Sequence, residues 1–220
     1  IEELTGSEVL VTDLGSCGIT AMAYGNTGSA FRVLENNLDE LSRLVAEGYT
    51  VVSQEPTSVL TLRAEAPGWS ADPRWKNVAA NTFELFEYLR KMEAGGRMRP
   101  LPDDPRLEMK LAYHMPCHLK ALQIGRPGLD FMKRIDGLEI VESRAACCGI
   151  AGTFGMKKEH YELSMRIGER MFDALTAEGV SAGLSECSTC RLQMEQSGKG
   201  TYHPAELLAA ALGYAALPAR

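Results

Sequence analysis

The chain has no basic stripe, no long apolar run and no sequence signature of a self-sufficient catalytic centre. Lys and Arg number 23 against 29 Asp and Glu, a net charge of −6, and the signs mix, as in Lys157-Lys158-Glu159. Such a surface offers no electrostatic grip on nucleic acid or on an anionic membrane. No uninterrupted apolar stretch reaches the roughly 18 residues that read as a spanning helix. The acidic start Ile1-Glu2-Glu3 lacks the charge order of a secretory signal. These absences predict a soluble, cytoplasmic protein, with any membrane association peripheral and made through partners. Also missing are a G-x-G-x-x-G dinucleotide loop and a nucleophile–base set, so nothing points to an independent substrate site.

What is present is core and cysteine. A chain of 220 residues with 45% hydrophobic and 24% charged content buries enough surface for one or two domains. Its six cysteines would allow three disulfides, but a chain of this size and core content needs no stapling. Their grouping as C-C-G and C-x-x-C, without a secretory signal, favours metal or redox chemistry in a reducing compartment.

Hydrophobic spacing predicts a helix over 31–45, where Phe31, Leu34, Leu38, Leu41 and Val45 recur by threes and fours. A strand over 49–53 follows, then helices over 56–66 and 73–94. Gly95-Gly96 and three prolines in residues 100–105 mark a linker, placed at 99–107. Beyond it strands over 111–114, 138–142 and 180–184 alternate with helices near 119, over 130–135, 158–178, 190–196 and 204–212. Alternation of this kind predicts an α/β architecture with parallel sheets.

The two halves echo each other in residues. Ser16-Cys17-Gly18-Ile19 precedes Cys147-Cys148-Gly149-Ile150 by 131 positions, and Ala46-Glu47-Gly48 precedes Ala177-Glu178-Gly179 by the same offset. One residue out of step, Glu55-Pro56-Thr57-Ser58 falls on Cys187-Ser188-Thr189-Cys190. The expectation is a duplicated domain, degenerate over 1–98 and complete over 108–220. The counterpart of Cys117 would fall before Ile1, so the first copy reads as truncated at its N-terminus. It retains only Cys17, with Ser16, Glu55 and Ser58 at the other matched positions.

The complete copy reads C-x29-C-C-G-x37-C-x2-C from Cys117 through Cys147, Cys148 and Cys187 to Cys190. Each cysteine follows a predicted strand, and loops at the carboxyl ends of parallel strands converge on one sheet edge. Thiolates suit iron-sulfur clusters and zinc. Five exceed a four-cysteine zinc site, and the adjacent Cys147 and Cys148 fit neighbouring irons better than one tetrahedral ion. Gly149 and Gly152 supply backbone able to approach sulfur closely. His114 and His118 flank Cys117 as orienting donors or weaker ligands, and His203 before Pro204 caps the last helix or nears the site. Glu55 is a capping carboxylate or a hard-cation ligand. Cys17 reads as a buried structural thiol or a relic ligand.

These segments, with Tyr113-His114-Met115-Pro116-Cys117-His118, Cys187-Ser188-Thr189-Cys190 and His203-Pro204, resemble the CCG cysteine-rich domain family. That family includes iron-sulfur C subunits of anaerobic glycerol-3-phosphate dehydrogenases and B subunits of heterodisulfide reductases. The resemblance implies two pseudo-twofold-related CCG domains, each a small parallel sheet flanked by helices. It implies one 4Fe-4S cluster, in a non-cubane form, on Cys117, Cys147, Cys148, Cys187 and Cys190. It further implies electron transfer from a flavoprotein dehydrogenase subunit, or a fused flavin domain, toward a quinone or membrane-associated acceptor. Two alternatives stay open: a structural zinc or docking domain without redox duty, and disulfide or thiol chemistry at the cluster itself.

Overall fold

Every strand pairing among the described residues, 1–101 and 106–219, of the computed structural model is parallel, and helices flank the strands, so the protein is α/β. The chain divides into two units, Ile1–Arg99 and Pro100–Arg220. The expected linker at 99–107 falls partly outside the described residues, and a strand already begins at Arg106.

The first unit runs α1 (Glu2–Thr5), α2 (Ile19–Ala23), α3 (Thr27–Ala46), β1 (Val51–Ser53), α4 (Pro56–Leu60), α5 (Ala66–Trp69), α6 (Arg74–Ala80), β2 (Thr82–Glu84) and α7 (Leu85–Ala94). Asn26 starts α3 by accepting the Ser29 N–H at 3.3 Å. Its apolar stripe, Leu34, Leu38 and Leu41, packs with Leu62, Ala66, Trp75 and Val78 into the core of the unit. Full burial of each such large side chain contributes about 1.5–3 kcal/mol. Between α4 and α5 the helix widens into a π turn at Thr61–Glu65, so the predicted helix over 56–66 extends to Trp69.

The predicted helix over 73–94 is corrected. It breaks into α6 and α7 around β2, which pairs with β1 in the register Val51↔Thr82 and Val52↔Phe83. The break follows from Glu84, whose carboxylate accepts the N–H groups of Phe86 and Glu87 at 2.9 Å, while Glu87 reaches back to the Glu84 N–H at 3.2 Å. That reciprocal capping box restarts the helix at Leu85.

The second unit runs β3 (Arg106–Tyr113), α8 (Cys117–Ala121), α9 (Pro127–Met132), β4 (Asp136–Glu142), α10 (Tyr161–Thr176), β5 (Ala182–Leu184), α11 (Ser188–Met194), β6 (Thr201–Tyr202) and α12 (Pro204–Ala211). Its sheet has the order β4-β3-β5-β6. β6 is a strand that the hydrophobic pattern does not announce. The ladders run on just past the strands: Ser143 N–H donates to Tyr113 O at 2.8 Å, His114 N–H to Leu184 O at 3.0 Å and Ser185 N–H to Tyr202 O at 3.1 Å. The first residues of the cysteine-bearing loops are therefore fixed to the sheet.

Candidate metal centre

The loop after β3 carries Cys117 at the start of α8, and the loop after β4 carries Cys147 and Cys148. The loop after β5 ends at Cys187, the residue preceding α11, with Cys190 in its first turn. The five thiols meet as a string of neighbours: Cys117 beside Cys147, Cys147 beside Cys148, Cys148 beside Cys190, and Cys190 beside Cys187. Cys148, Cys187 and Cys190 are buried, Cys147 is half-buried and Cys117 is exposed. The buried three belong to the core of the unit with Met171, Leu175 and Met194. Among the described residues no three His, Cys, Asp or Glu side chains converge on a single-ion position.

Three glycines bring the C-C-G loop to α10 at backbone distance. At Gly149, where φ is +103°, a Cβ would lie 2.1 Å from Ser164 O, so both conformation and space demand glycine. A Cβ at Gly168, inside α10, would lie 2.5 Å from Cys148 O, and one at Gly155 would lie 2.2 Å from Ser164 Oγ. Gln193 of α11 donates to Ser164 O at 3.3 Å and to its Oγ at 3.1 Å, tying the Cys187–Cys190 helix to α10. Lys120 of α8 donates through Nζ to the carbonyls of Ala145 and Ala146, at 3.1 and 3.0 Å, just ahead of Cys147. Gly168, Ser164, Gln193 and Lys120 were not singled out by the sequence; the only signal was a glycine inside an amphipathic helix, which implies a close approach.

The electrostatics are those of crowded sulfur. Hydrogen bonds from the Cys117 and Cys148 thiols, and then the Gly149 N–H at 3.3 Å, pull Cys147 down to about 2. The same contact with Cys147 pushes Cys117 up and raises Cys148 to about 11, while Cys148 and Cys187 drive Cys190 up. The neighbouring thiols thus oppose ionisation of Cys117, Cys148 and Cys190, and ionising them together requires positive charge among the sulfurs. The donor set therefore fits a polynuclear cation with thiolate ligands, whose irons would carry and spread that charge.

The other predicted residues are distributed as follows. His114 is buried at the end of β3, and desolvation followed by repulsion from Lys120 holds it down at about 4. His118 is the second residue of α8. His203 caps α12: Nδ1 accepts the Ala205 N–H at 3.0 Å, and Glu206 accepts the His203 N–H at 2.8 Å. Cys17 belongs to the first unit and is half-buried there. Glu55 caps α4, accepting from the Thr57 N–H and hydroxyl at 3.4 and 3.0 Å. Gly152 has a positive φ of 69° with open space about it.

A parallel α/β unit with this cysteine spacing defines a class, and residues 111–195 match the family described as CCG, cysteine-rich domain. The second unit thus carries a CCG domain over residues 111–195. The C subunit of anaerobic glycerol-3-phosphate dehydrogenase from Escherichia coli K12 is 33% identical over 201 residues, covering 89% of this chain and 49% of the relative. The B subunit of fumarate reductase (CoM/CoB) from Methanothermobacter marburgensis is 27% identical over 165 residues, 73% of this chain and 31% of the relative. Lactate utilization protein A from Lysinibacillus sphaericus is 31% identical over 117 residues, 49% of this chain and 48% of the relative. The chain spans about half the length, or less, of these relatives. Among the described residues no helix is long and apolar enough to cross a membrane.

Proposed function

We propose that Cys117, Cys147, Cys148, Cys187 and Cys190 ligate one 4Fe-4S cluster, in a non-cubane form, and that the chain is the electron-transfer part of a flavin-linked oxidoreductase. The observation that carries this reading is the meeting of five thiols from three strand-end loops. Five ligands, two of them consecutive, are more than one tetrahedral ion takes, which supports a polynuclear group with an extra thiolate. When bound, such a group supplies one-electron transfer. The chain's own part is to hold it: Gly149, Gly155 and Gly168 fix the C-C-G loop on α10, Lys120 fixes its approach, and the Gly149 N–H donates to Cys147. Cys117 leaves an exposed edge for electron exchange.

Two of the relatives are named as parts of multi-subunit enzymes, which supports a partner. In our reading a flavoprotein subunit or fused domain delivers electrons, and a quinone or another acceptor receives them. We also read the first unit as a copy without a cluster. Supporting this, Gly18 has a φ of +83° and faces Ala30 O of α3, as Gly149 faces Ser164 O of α10. Glu55 precedes α4 as Cys187 precedes α11, and the Glu84 capping box answers that of His203.

Anaerobic purification or reconstitution, with iron, sulfide and zinc analysis and electron paramagnetic resonance, tests the proposal. About four irons per chain with matching acid-labile sulfide are expected. Stoichiometric zinc without iron would refute it in favour of the structural or docking role. Reductive cleavage of a disulfide by the isolated, loaded chain would replace electron relay with catalysis at the cluster.

A further inference from the structure

As a copy of the second unit, the first contains counterparts of three of its four strands. β1 answers β5, and so β2 answers β6: Val51 N–H donates to Asn81 O at 2.9 Å as Gly183 N–H donates to Gly200 O at 2.9 Å. Glu8-Val9-Leu10 precedes Glu139-Ile140-Val141 of β4 by 131 positions, the offset that also relates Cys17-Gly18 to Cys148-Gly149. In the second unit β3 lies between β4 and β5, whereas β1 has β2 as its one strand neighbour among the described residues. A groove of about 510 Å³ opens there, lined by residues 7–10, by Tyr49, Thr50 and Val52, and by Tyr88 and Met92 of α7. Successive N–H groups of a strand point to opposite edges, and Asn81 O takes that of Val51, so the Val52 N–H faces the groove. Val9 and Leu10 are 40% and 49% exposed, and β1 is half-buried along its length where β5 is buried throughout. An open strand edge beside exposed apolar side chains is a template for another strand.

We infer that this groove receives an extended segment that pairs parallel with β1, between β1 and residues 8–10, and that the segment belongs to the same polypeptide, ahead of Ile1. This rests on the first unit being a copy of the second. There β3 reaches β4 through the 22 residues 114–135, since parallel neighbours need a crossover of a dozen residues or more. The same spacing counted back from Glu8 places the segment before Ile1, and the relative from Escherichia coli K12, of which the chain covers 49%, has length to spare for it. The chemistry of the occupant follows from β3, where Leu111, Ala112 and Tyr113 are all buried and the strand packs against α10 and α12. A strand covered on both faces is a continuous apolar run rather than an alternating one.

A synthetic peptide with the sequence of residues 107–114 is the probe, because those residues fill this place in the second unit. With the peptide in excess, amide hydrogen exchange of the 220-residue chain, followed by NMR, should slow at Val52 by about tenfold or more. The Ala112→Pro peptide, which lacks an N–H that the ladder needs, should have no effect. A spin label on the first residue of the peptide should broaden the resonances of Tyr49 more than those of Ser53, as parallel pairing requires. In the longer polypeptide with its native residues ahead of Ile1, Val52 should be protected without the peptide and indifferent to it. Val52 exchange that the peptide leaves unchanged in the 220-residue chain, or that stays peptide-sensitive in the longer polypeptide, overturns the inference. Stronger broadening at Ser53, which is antiparallel pairing, overturns both the inference and the copy reading. Iron analysis tests the cluster separately and is indifferent to either result.

Discussion

Gly168→Ala pairs a local gain with a tertiary clash. In a helix interior the change from glycine to alanine is worth about 1 kcal/mol in favour of the helix. At Gly168 the new Cβ would stand 2.5 Å from Cys148 O, against 3.4 Å or more in an ordinary contact. Either the helix or the Cys148 carbonyl must retreat by about 1 Å in an interior packed too densely to absorb it. Forcing a carbon into such a place costs about 1–3 kcal/mol, and here the opposing atom is backbone. The net expectation is a loss of about 1–2 kcal/mol in the second unit, with Cys148 displaced from its neighbours. Gly28 is the control, because it lies in α3 with nothing within 4 Å of its Cβ position; Gly28→Ala should stabilise the first unit by about 0.5–1 kcal/mol. The assay is urea unfolding. Both tryptophans, Trp69 and Trp75, belong to the first unit, so tryptophan fluorescence reads Gly28→Ala there, and far-ultraviolet circular dichroism adds the second unit. With a slope of about 1.5 kcal/mol/M, the loss at Gly168 is a midpoint shift of about 1 M. A Gly168→Ala protein as stable as Gly28→Ala would refute the close approach of α10 to the C-C-G loop.

Three further outcomes are expected. Burial raises Glu84 to about 7 from an ordinary 4.5, so the stability associated with its protonated form is full below about pH 4.5 and is lost as pH rises through 7. The change is on the order of 3 kcal/mol. Glu84→Gln should flatten the fall in the fluorescence-detected urea midpoint between about pH 5 and 8, and an unchanged slope would count against a buried acid there. Lys120→Met leaves the Ala145 and Ala146 carbonyls without their ammonium donor and should cost about 1.5–3 kcal/mol, read as a lower unfolding midpoint and less iron per chain, with Lys120→Arg partly restoring both. Cys187→Ser should abolish most of the iron uptake, whereas Cys17→Ser should leave it unchanged; equal losses in the two would remove the distinction between the units.

Much of the arrangement was written in residue patterns. The stripe Leu34, Leu38, Leu41 announced α3, and the C-C-G and C-x-x-C spacings marked the cysteines that the loops draw together. What escaped has physical causes. β2 and β6 are three and two residues long, too short for an alternating pattern to register, and Val78, Phe83, Phe86 and Leu89 happen to step compatibly with one helix. Glu84 falls inside the predicted helix over 73–94, yet as a fully buried cap it ends that apparent helix. Around the sulfur the supporting residues are ordinary types, Ser143, Ser164, Gln193 and Lys120, whose roles arise only when distant segments pack. The folded chain adds what no spacing states: which of the five thiols stand side by side, and which of them are buried.

The sheet order also sets a timetable. β3 pairs with β4 across about 30 residues of chain and with β5 across about 71. Loop closure favours the nearer pairing first, which brings Cys117 to Cys147 and Cys148 while β5 is still unplaced. On a ribosome, Cys187 emerges about 40 residues after Cys148, a lag of roughly 2–8 s. Throughout that interval three thiols can stand together without the two that would close around them, which leaves Cys117, Cys147 and Cys148 open to oxidation until β5 docks.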